Sequence, residues 1–564
     1  MQKVFFILLL ITSFVSCKFK QVPIAQKHLT ADTAMVVSAH PLASDIGVQI
    51  LKQGGNAVDA MVATNFALSV VYPRAGNIGG GGFMIIREPD GKAKALDYRE
   101  MAPSKAHKNL FLDEQGNVIK GLSTEGGLSV GIPGTVAGLY AAWQKYGQIK
   151  DWKQLVKPAI LLAKNGFHIS EAEAHRLNKY QKYFEKYNPN NKVFIKNHWL
   201  EGDILKQPEL AYTLELIAQN GPKGFYEGEV AEALVEKLNK YGGIISLDDL
   251  KNYVVKFREP IIIPYKNYRV ISMPPPSSGG VALGQLLKIV QNYPIKNWGI
   301  HSYKTTHLIV EAEKRVYADR AKYLGDADFY PVPIDSLLDD NYLLQKMSNF
   351  SFKKSTPANE IIKGDLTLNK ESFETTHISI IDKNRMAVSC TTTLNSNYGS
   401  KLIVDGFGFF LNNEMDDFSA KPGEPNQFGL IGAEANAIVP YKRMLSSMTP
   451  TIVEKEGEVF LVVGTPGGST IITSVFQVIM NVVEYDMNMY DAVQTKRFHH
   501  QLLPDRIMYE KKAFDQKVLD SLKAVGHALK LIKNLGYVKA ILYRNGSLEG
   551  SGDERNPDDD VSGY

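Results

Sequence analysis

Hydrophobic positions recur along this chain with both helical and strand-like spacing. Helical spacing predicts four helices, which are Ala43–Leu51, Ala57–Val71, Val281–Val290 and Thr306–Tyr323. The last of these is amphipathic, and its pattern places Glu311, Lys314 and Arg315 on the face toward solvent.

Shorter apolar runs predict six strands, which are Phe83–Arg87, Tyr268–Met273, Thr376–Ile381, Met386–Thr392, Val459–Val463 and, as the final strand, Val538–Tyr543. Only Asp382-Lys383-Asn384-Arg385 separates the third run from the fourth, which predicts a hairpin. Helices and strands mix throughout, so the pattern favours layered α and β structure with antiparallel pairing over a doubly wound parallel sheet. From His40 onward there is no low-complexity linker, charge block or repeat, so we expect one continuous fold.

The N-terminus carries an apolar run of twelve residues, Val4–Val15, after a short basic start. A membrane-spanning helix needs about 20 apolar residues, so this run is typical of a signal peptide. The run ends Phe14-Val15-Ser16-Cys17, which is similar to a bacterial lipobox apart from Phe14 in place of the usual Leu. We expect residues 1–16 to be removed and Cys17 to be lipidated in the cell envelope. The alternative is an ordinary cleaved signal with an incidental cysteine, and export is expected in both cases.

Composition narrows the function classes. The chain has 564 residues, with 64 basic and 60 acidic side chains and a net charge of +4. That balance gives no electrostatic footprint for nucleic acid. The only two cysteines, Cys17 and Cys390, exclude a disulfide framework and any Cys-rich metal site, and Cys390 is expected in the core.

Several familiar motifs fail on inspection. The run Gly79–Gly82 is followed by neither Lys-Ser/Thr nor a helix, so it predicts close backbone packing and not phosphate binding. His499-His500 could bind a metal, but adjacent side chains point apart in regular structure and no acidic or Cys cluster accompanies them. A structural pair is therefore favoured. The chain has no HExxH and no GxSxG, so a nucleophile must be found by another route.

A threonine pair opens the predicted hairpin, and polar loops follow it. Thr375-Thr376 alone is explained by the preference of Thr for strands. A functional role for the threonine pair is favoured by a series of polar loops further along the chain. These loops are Asn412–Phe418, which contains carboxylates, Pro422–Asn426, Leu445–Pro450 and Gly464–Ser469.

Taken in order, these segments resemble the γ-glutamyltranspeptidase family of glutathione hydrolase proenzymes, in the N-terminal-nucleophile hydrolase superfamily. The resemblance runs from about Ala39 to Tyr564. It also includes the motifs Gly55–Ala60 (GNAVDA), Gly79–Phe83 (GGGGF), Asp97–Pro103 (DYREMAP), Ser129–Thr135 (SVGIPGT), Pro275–Gly280 (PPSSGG) and Gly563-Tyr564.

The resemblance implies an α+β fold, a four-layer αββα sandwich, in a chain that cleaves itself between Glu374 and Thr375. A large subunit of residues 17–374 and a small subunit of residues 375–564 then remain together as a heterodimer. Cleavage frees the α-amine of Thr375. Because an α-amine titrates at about 7.7–8.0, it can act as the general base for the hydroxyl of the same residue.

The resemblance also assigns the remaining site residues. Thr393 matches a second threonine that assists the nucleophile, and Gly467 and Gly468 match an oxyanion hole. The γ-glutamyl group carries an α-carboxylate and an α-ammonium. The residues that match its binding groups are Arg99, Ser446 and Ser447 for the carboxylate and Asn395, Glu414 and Asp417 for the ammonium. Taken singly, Arg99 could form a surface ion pair, the two serines could cap a helix, and the acidic residues could belong to a solvated turn. Taken together, one positive and two negative groups suit a zwitterionic ligand.

One position departs from the family. Members with a lid over the site usually carry a Tyr that hydrogen bonds the Asn matching Asn395. Here the lid loop Pro425–Ala433 has Phe428 at that place, which predicts a looser lid and an altered balance of transfer and hydrolysis.

We therefore expect a γ-glutamyltransferase and glutathione hydrolase that acts on small γ-glutamyl compounds and on water or amino-acid and peptide acceptors. No metal or organic cofactor and no nucleic-acid partner is implied, and membrane contact is expected only through the lipid. One alternative is a related acylase acting on cephalosporin side chains or poly-γ-glutamate. Another is a non-catalytic lipoprotein that binds γ-glutamyl compounds, although none of Thr375, Thr393 and the glycine pair is lost.

Overall fold

The structure is a computed structural model that describes residues 22–361, 375–421, 424, 426–427, 430 and 432–564. Three predicted functional positions, Cys17, Glu374 and Phe428, lie outside the described residues, as does the predicted signal segment 1–16. Their roles stay predictions.

Two seven-stranded sheets form the centre of the fold. Across sheet A the strands are His28–Ala31, Ser547–Gly552, Lys539–Arg544, Glu458–Gly464, Thr451–Lys455, Tyr268–Ser272 and Ile261–Tyr265. Across sheet B they are Asp560–Gly563, Met35–Ser38, Thr376–Ile381, Ala387–Thr393, Gly81–Arg87, Ala93–Asp97 and Lys256–Arg258. All neighbouring strands in both sheets are antiparallel. Two small sheets lie outside them, with strands Phe498–His499, Ile507–Glu510 and Leu529–Ile532 in one and Phe167–His168 and Ile204–Leu205 in the other.

Helices form the outer layers. One set packs with the outer face of sheet B: Pro41–Lys52, Ala57–Val71, Thr135–Tyr146, Trp152–Asn165, Glu171–Tyr187, Pro208–Asn220, Lys223–Tyr226, Gly228–Lys240 and Leu247–Lys251. The other set packs with sheet A: Gly279–Val290, Ile295–Trp298, Tyr303–Tyr323, Ile334–Leu337, Asp340–Lys346, Ala358–Ile361, Ile471–Val483, Met489–Gln494 and Gln516–Ala524. Short 3-10 turns are at Gly127–Ser129, Glu414–Asp417, Glu434–Asn436 and Gly468–Thr470.

Sheet B is buried on both faces, so successive residues of its strands enter different cores. Val36 packs in the core shared with the first helix set, while Val37 packs in the core shared with sheet A. The same alternation separates Ile86 from Ile85. The layers follow as helix, sheet, sheet and helix, so the expected αββα sandwich is confirmed.

The hairpin predicted around residues 382–385 is present. Its strands pair Thr376 with Thr392 and Ile381 with Ala387. The carboxylate of Asp382 organises the turn, because it accepts hydrogen bonds from the backbone N–H groups of Asn384 and Met386.

Two predictions from the sequence are wrong. Val538–Tyr543 is not the final strand, because Ser547–Gly552 and Asp560–Gly563 follow. These glycine-containing and acidic segments have no apolar run of their own, and pairing with neighbouring strands makes them strands.

The charged residues of the helix Tyr303–Tyr323 are the second error. Glu311, Lys314 and Arg315 are 0%, 1% and 2% exposed, not outward. They neutralise one another, because Glu311 pairs with Lys314 at 3.2 Å and with Arg315 at 2.8 Å. A periodicity based on hydropathy cannot distinguish a buried ion pair from a solvated face.

The glycine run, the histidine pair and Cys390 behave as predicted. A Cβ on Gly79 would lie 2.2 Å from the carbonyl oxygen of Phe410, so the run permits close backbone packing. His499 and His500 have separate partners within the described chain, and Cys390 is fully buried. Among the described residues no helix has the length and apolar character needed to cross a membrane.

Candidate active site

A small pocket lies at the end of the central hairpin of sheet B. It is lined by Arg99, Arg320, Thr375, Thr393, Asn395, Glu414, Asp417, Leu430, Ser446, Ser447, Met448, Gly468 and Ile471. Nine of these were predicted from the sequence as site residues. Gly467 is not in the lining but directly precedes Gly468.

The two threonines face each other across the hairpin. Continuing the register of Thr376 with Thr392 by one residue places Thr375 opposite Thr393. Their hydroxyl oxygens are 3.3 Å apart, within hydrogen-bond reach, and Thr375 is 6% exposed. The hydroxyl of Thr375 is therefore held at the edge of the pocket.

Thr393 is fixed from both sides. Its hydroxyl accepts a hydrogen bond of 2.7 Å from the backbone N–H of Asn395, and its carbonyl oxygen accepts one of 2.9 Å from Nδ2 of Asn77. The Oδ1 atom of Asn77 in turn accepts from the backbone N–H of Gly80 and from the hydroxyl of Thr135. Asn77 was missed in the sequence, where the segment before the glycines carried no sign of this role.

Asn395 adopts a left-handed conformation with φ of 73°, which asparagine tolerates better than most residues. Its Nδ2 group donates to the carbonyl oxygen of Asn413 at 3.0 Å. Since the amide donor is engaged in this way, Oδ1 is the atom of Asn395 that can accept a hydrogen bond from a ligand.

The glycine pair forms a turn at the start of a helix. Gly467 has φ of 147° and Gly468 has φ of 55°, and a side chain would be strained at both. The helix Ile471–Val483 begins immediately after this turn, with Ile471 in the pocket wall. The positive end of the helix dipole therefore lies beside the pocket, where it favours negative charge.

The serine pair is held by the PPSSGG segment. The backbone N–H of Ser446 donates to the carbonyl oxygen of Pro276 at 2.9 Å, and the hydroxyl of Ser278 donates to the carbonyl oxygen of Ser446 at 2.7 Å. The Ser446 hydroxyl accepts from the backbone N–H of Met448 at 3.1 Å. This leaves the hydrogen of that hydroxyl available to a ligand.

Arg99 is the centre of a buried ion-pair cluster. Its Nη1 atom pairs with Glu414, and its Nη2 atom lies 2.6 Å from Asp417. Glu100 lies 3.7 Å from Arg99, and its carboxyl group lies beside that of Glu414. Burial raises the pKa of Glu100 to about 7, so this carboxyl group is about half protonated at neutral pH.

The described lid residues are attached to the same acidic turn. Nδ2 of Asn426 donates to Asp417 at 3.1 Å, and the backbone N–H of Gln427 donates to Asp416 at 3.0 Å. Asp416 also accepts from the hydroxyl of Ser123 at 2.5 Å. These hydrogen bonds were not predicted from the sequence. That of Asn426 connects the lid to Asp417, a carboxylate of the pocket.

Arg320 was also missed. It belongs to the helix Tyr303–Tyr323, is 4% exposed, and donates to the hydroxyls of Ser278 and Ser447, each at 3.1 Å. Burial lowers the pKa of Arg320 to about 10, and the group remains protonated at neutral pH. The sequence offered no signal for it, because nothing distinguished this arginine from other charges of the helix.

One group of side chains elsewhere has the composition of a metal site. Ligand atoms of His307, Glu311 and His527 lie within 4.8 Å of one another. Both oxygens of the Glu311 carboxylate are already engaged, by Arg315 on one side and by Lys314 and the backbone of Thr356 on the other. Two neighbouring cations oppose a metal ion there, so we interpret the group as a structural ion-pair cluster.

Comparison with known proteins extends these observations. The family model described as gamma-glutamyltranspeptidase matches residues 43–563. The glutathione hydrolase proenzyme of Escherichia coli strain K12 is 44% identical over 541 residues, covering 95% of this chain and 92% of that protein. The glutathione hydrolase proenzyme of Pseudomonas aeruginosa is 45% identical and covers 93% and 94%.

Solved structures give the same picture. A cephalosporin acylase from Bacillus halodurans matches with a TM-score of 0.82 at 25% identity, covering 96% of this chain and 98% of that chain. A gamma-glutamyltranspeptidase from Helicobacter pylori matches with a TM-score of 0.56 at 46% identity, covering 60% and 95%.

Proposed function

The chain belongs to the gamma-glutamyltranspeptidase family, and from this premise we propose that Thr375 is the residue at which its chemistry takes place. It is an enzyme, a glutathione hydrolase and γ-glutamyltransferase, like relatives that are 44% identical over most of its length. The observation that supports Thr375 most is its hydroxyl, 3.3 Å from that of Thr393 in a pocket rich in ionised groups.

Maturation comes first in the proposed sequence. The hydroxyl oxygen of Thr375 attacks the carbonyl carbon of Glu374, the C–N bond between the two residues breaks, and an ester remains. Water hydrolyses the ester, which leaves a carboxylate on Glu374 and a free α-amine on Thr375. The products are the subunits 17–374 and 375–564.

Turnover then uses the new amine. The amine accepts the proton of the Thr375 hydroxyl while its oxygen attacks the γ-carbonyl of the donor. The backbone N–H groups of Gly467 and Gly468, at the positive end of a helix, stabilise the oxyanion, a contribution of about 10²–10³ in rate for one such donor. The leaving amine departs with a proton, and water or an acceptor amine then takes the γ-glutamyl group from the ester.

Charge in the pocket supports a zwitterionic donor. Arg99, Ser446 and Ser447 bind its α-carboxylate in the proposed complex, and Asn395, Glu414 and Asp417 accept hydrogen bonds from its α-ammonium. Two carboxylates in the wall disfavour acyl groups that carry only a carboxylate, such as the glutaryl group of the acylase alternative. Turnover of γ-glutamyl-p-nitroanilide should therefore exceed that of glutaryl-p-nitroanilide.

Export and lipidation complete the proposal. The apolar run before Cys17 and its small preceding residue support removal of residues 1–16 and lipid attachment to Cys17. Mass spectrometry of the protein from membranes should show a lipid-modified Cys17 as the first residue. An unmodified N-terminus would instead favour the alternative, an ordinary cleaved signal peptide.

Self-cleavage is the decisive test. Purified wild type should give two polypeptides on a denaturing gel, with Thr375 as the new N-terminus. Thr375→Ala should remain one chain and lack activity, because alanine has no hydroxyl to attack the Glu374 carbonyl. Normal maturation of the alanine variant would show that Thr375 is not the nucleophile.

A further inference from the structure

Arg99, the family's carboxylate-binding arginine, has little hydrogen-bonding capacity left. Its guanidinium pairs with both Glu414 and Asp417. The same group also donates to the carbonyl oxygens of Met444 at 3.3 Å and Leu445 at 3.4 Å. A guanidinium has five N–H donors, and these four acceptors engage most of them while two carboxylates offset its charge.

Arg320 is in the opposite condition. Among the described residues, Arg99 forms ion pairs with both pocket carboxylates, whereas Arg320 forms no ion pair. Its hydrogen bonds to Ser278 and Ser447 are to neutral hydroxyls and use one N–H of Nε and one of Nη2. Asp417 acts on the charge of Arg320 from a distance, but no carboxylate of the described residues forms an ion pair with it. A buried cation in this position, in a pocket wall, is suited to a ligand that brings the negative charge.

The two guanidiniums flank one short segment. Arg99 reaches the carbonyl groups of Met444 and Leu445, and Arg320 reaches the side chain of Ser447 three and two residues further on. Because the Ser447 hydroxyl accepts from Arg320, its own hydrogen is free to donate into the pocket. An anion beside Ser446 and Ser447 would thus meet two hydroxyl donors and two guanidinium groups, of which that of Arg99 is already paired with carboxylates.

We propose that Arg320 is a second carboxylate-binding arginine, which contacts the α-carboxylate of the γ-glutamyl donor directly beside Ser447 and supplies the positive charge that Glu414 and Asp417 offset on Arg99. This inference rests on the proposed function of the pocket. It assigns specificity for the α-carboxylate to a residue of the large subunit that lies in a helix far from Arg99 in sequence.

Three substrates separate this role from a structural one. γ-Glutamyl-p-nitroanilide carries both charged groups, glutaryl-p-nitroanilide lacks the ammonium, and 4-aminobutyryl-p-nitroanilide lacks the carboxylate. In Arg320→Met, kcat/KM should fall about 10- to 100-fold for the two carboxylate-bearing substrates, the range for a hydrogen bond to a charged group. For the 4-aminobutyryl substrate, kcat/KM should stay within about twofold of wild type.

A second neutral variant and a surface control complete the design. Arg320→Gln keeps an N–H donor for Ser447 and removes the charge, so it should show the same selective loss even if the Met variant matures poorly. Lys322→Met removes an exposed charge two residues away and should change none of the three values. Subunit bands on a gel verify maturation of each variant.

The outcomes are distinguishable. An equal fall for all three substrates in both Arg320 variants would make Arg320 a packing residue and overturn the inference, as would unchanged kinetics. If wild type itself does not hydrolyse γ-glutamyl-p-nitroanilide, the proposed function fails instead.

Discussion

The contact between Gly80 and Thr393 connects packing of the fold to the chemistry of the site. Gly80 needs no special backbone conformation, yet a Cβ built on it would lie 2.1 Å from the carbonyl oxygen of Thr393 and 2.8 Å from Oδ1 of Asn77. Real Cβ atoms essentially never approach closer than 3.0 Å, so Gly80→Ala requires a shift of roughly 0.9 Å, the difference between 3.0 and 2.1 Å. Because the closest atom belongs to the backbone of Thr393, the shift must change the separation of Gly80 from the strand end that carries Thr393.

This shift has two expected effects. Overpacking of a well-packed core costs about 1–3 kcal/mol of stability. Displacement of the Thr393 hydroxyl by nearly that distance also separates it from Thr375, and a misplacement of about 1 Å costs up to about 10² in rate. We therefore expect Gly80→Ala to fold, to cleave itself up to about 10²-fold more slowly than wild type, and to turn over slowly once mature.

The assay follows the precursor band with time on denaturing gels, together with thermal unfolding and kcat on γ-glutamyl-p-nitroanilide. Gly116→Ala is a control, because its Cβ would meet nothing within 4 Å and only its φ of 77° opposes the substitution. That variant should lose about 1–2 kcal/mol of stability through backbone strain and still mature at the wild-type rate. Wild-type maturation and stability in Gly80→Ala would refute the link between this contact and the site.

Two further predictions concern Glu100 and Phe428. Burial raises the folded-state pKa of Glu100 to about 7 from 4.5, so the native state binds this proton more tightly than the unfolded state does. The stability of wild type therefore falls as pH rises from 4.5 to about 7, by at most about 3 kcal/mol. Glu100→Gln, a neutral isostere, avoids that loss, so its Tm should exceed that of wild type at pH about 8 and match it at pH about 4; a constant difference would contradict the assignment. Phe428→Tyr should tighten the lid by restoring a hydroxyl for Asn395 and raise the ratio of transfer to hydrolysis with a dipeptide acceptor, and an unchanged product ratio would remove the lid argument.

Local patterns made part of the fold predictable. The hairpin was visible because β-branched runs flank a polar turn, and Asp382 does organise that turn. The helix Ala57–Val71 has the bounds that its apolar spacing predicts, and Asn56 and Asp59 form a capping box at its start. Each of these features depends on residues close together in the sequence.

Features that depend on distant partners could not be seen. Glu311, Lys314 and Arg315 looked like a solvated face because their ion pairs become evident only when the helix is packed. Arg320 follows on the same helix, and its proposed role depends on a contact with Ser447, 127 residues further along. The family resemblance identifies those pocket residues that belong to motifs, whereas Asn77 and Arg320 belong to none and are recognised only by their contacts in the folded chain.

Both sheets are built from strands on either side of residue 375, which explains how a chain can be cut and keep its fold. In sheet B, Thr376–Ile381 pairs on one side with Met35–Ser38 from the proposed large subunit, and Ala387–Thr393 pairs with Gly81–Arg87. In sheet A, Thr451–Lys455 pairs in the same way with Tyr268–Ser272, a strand of the proposed large subunit. The proposed cleavage before Thr375 would break one peptide bond and none of these hydrogen bonds, so separation of the two subunits would require opening both sheets. The uncut Thr375→Ala chain should for the same reason unfold at nearly the temperature of the mature enzyme, and a much lower Tm would mean that the cut itself completes the fold.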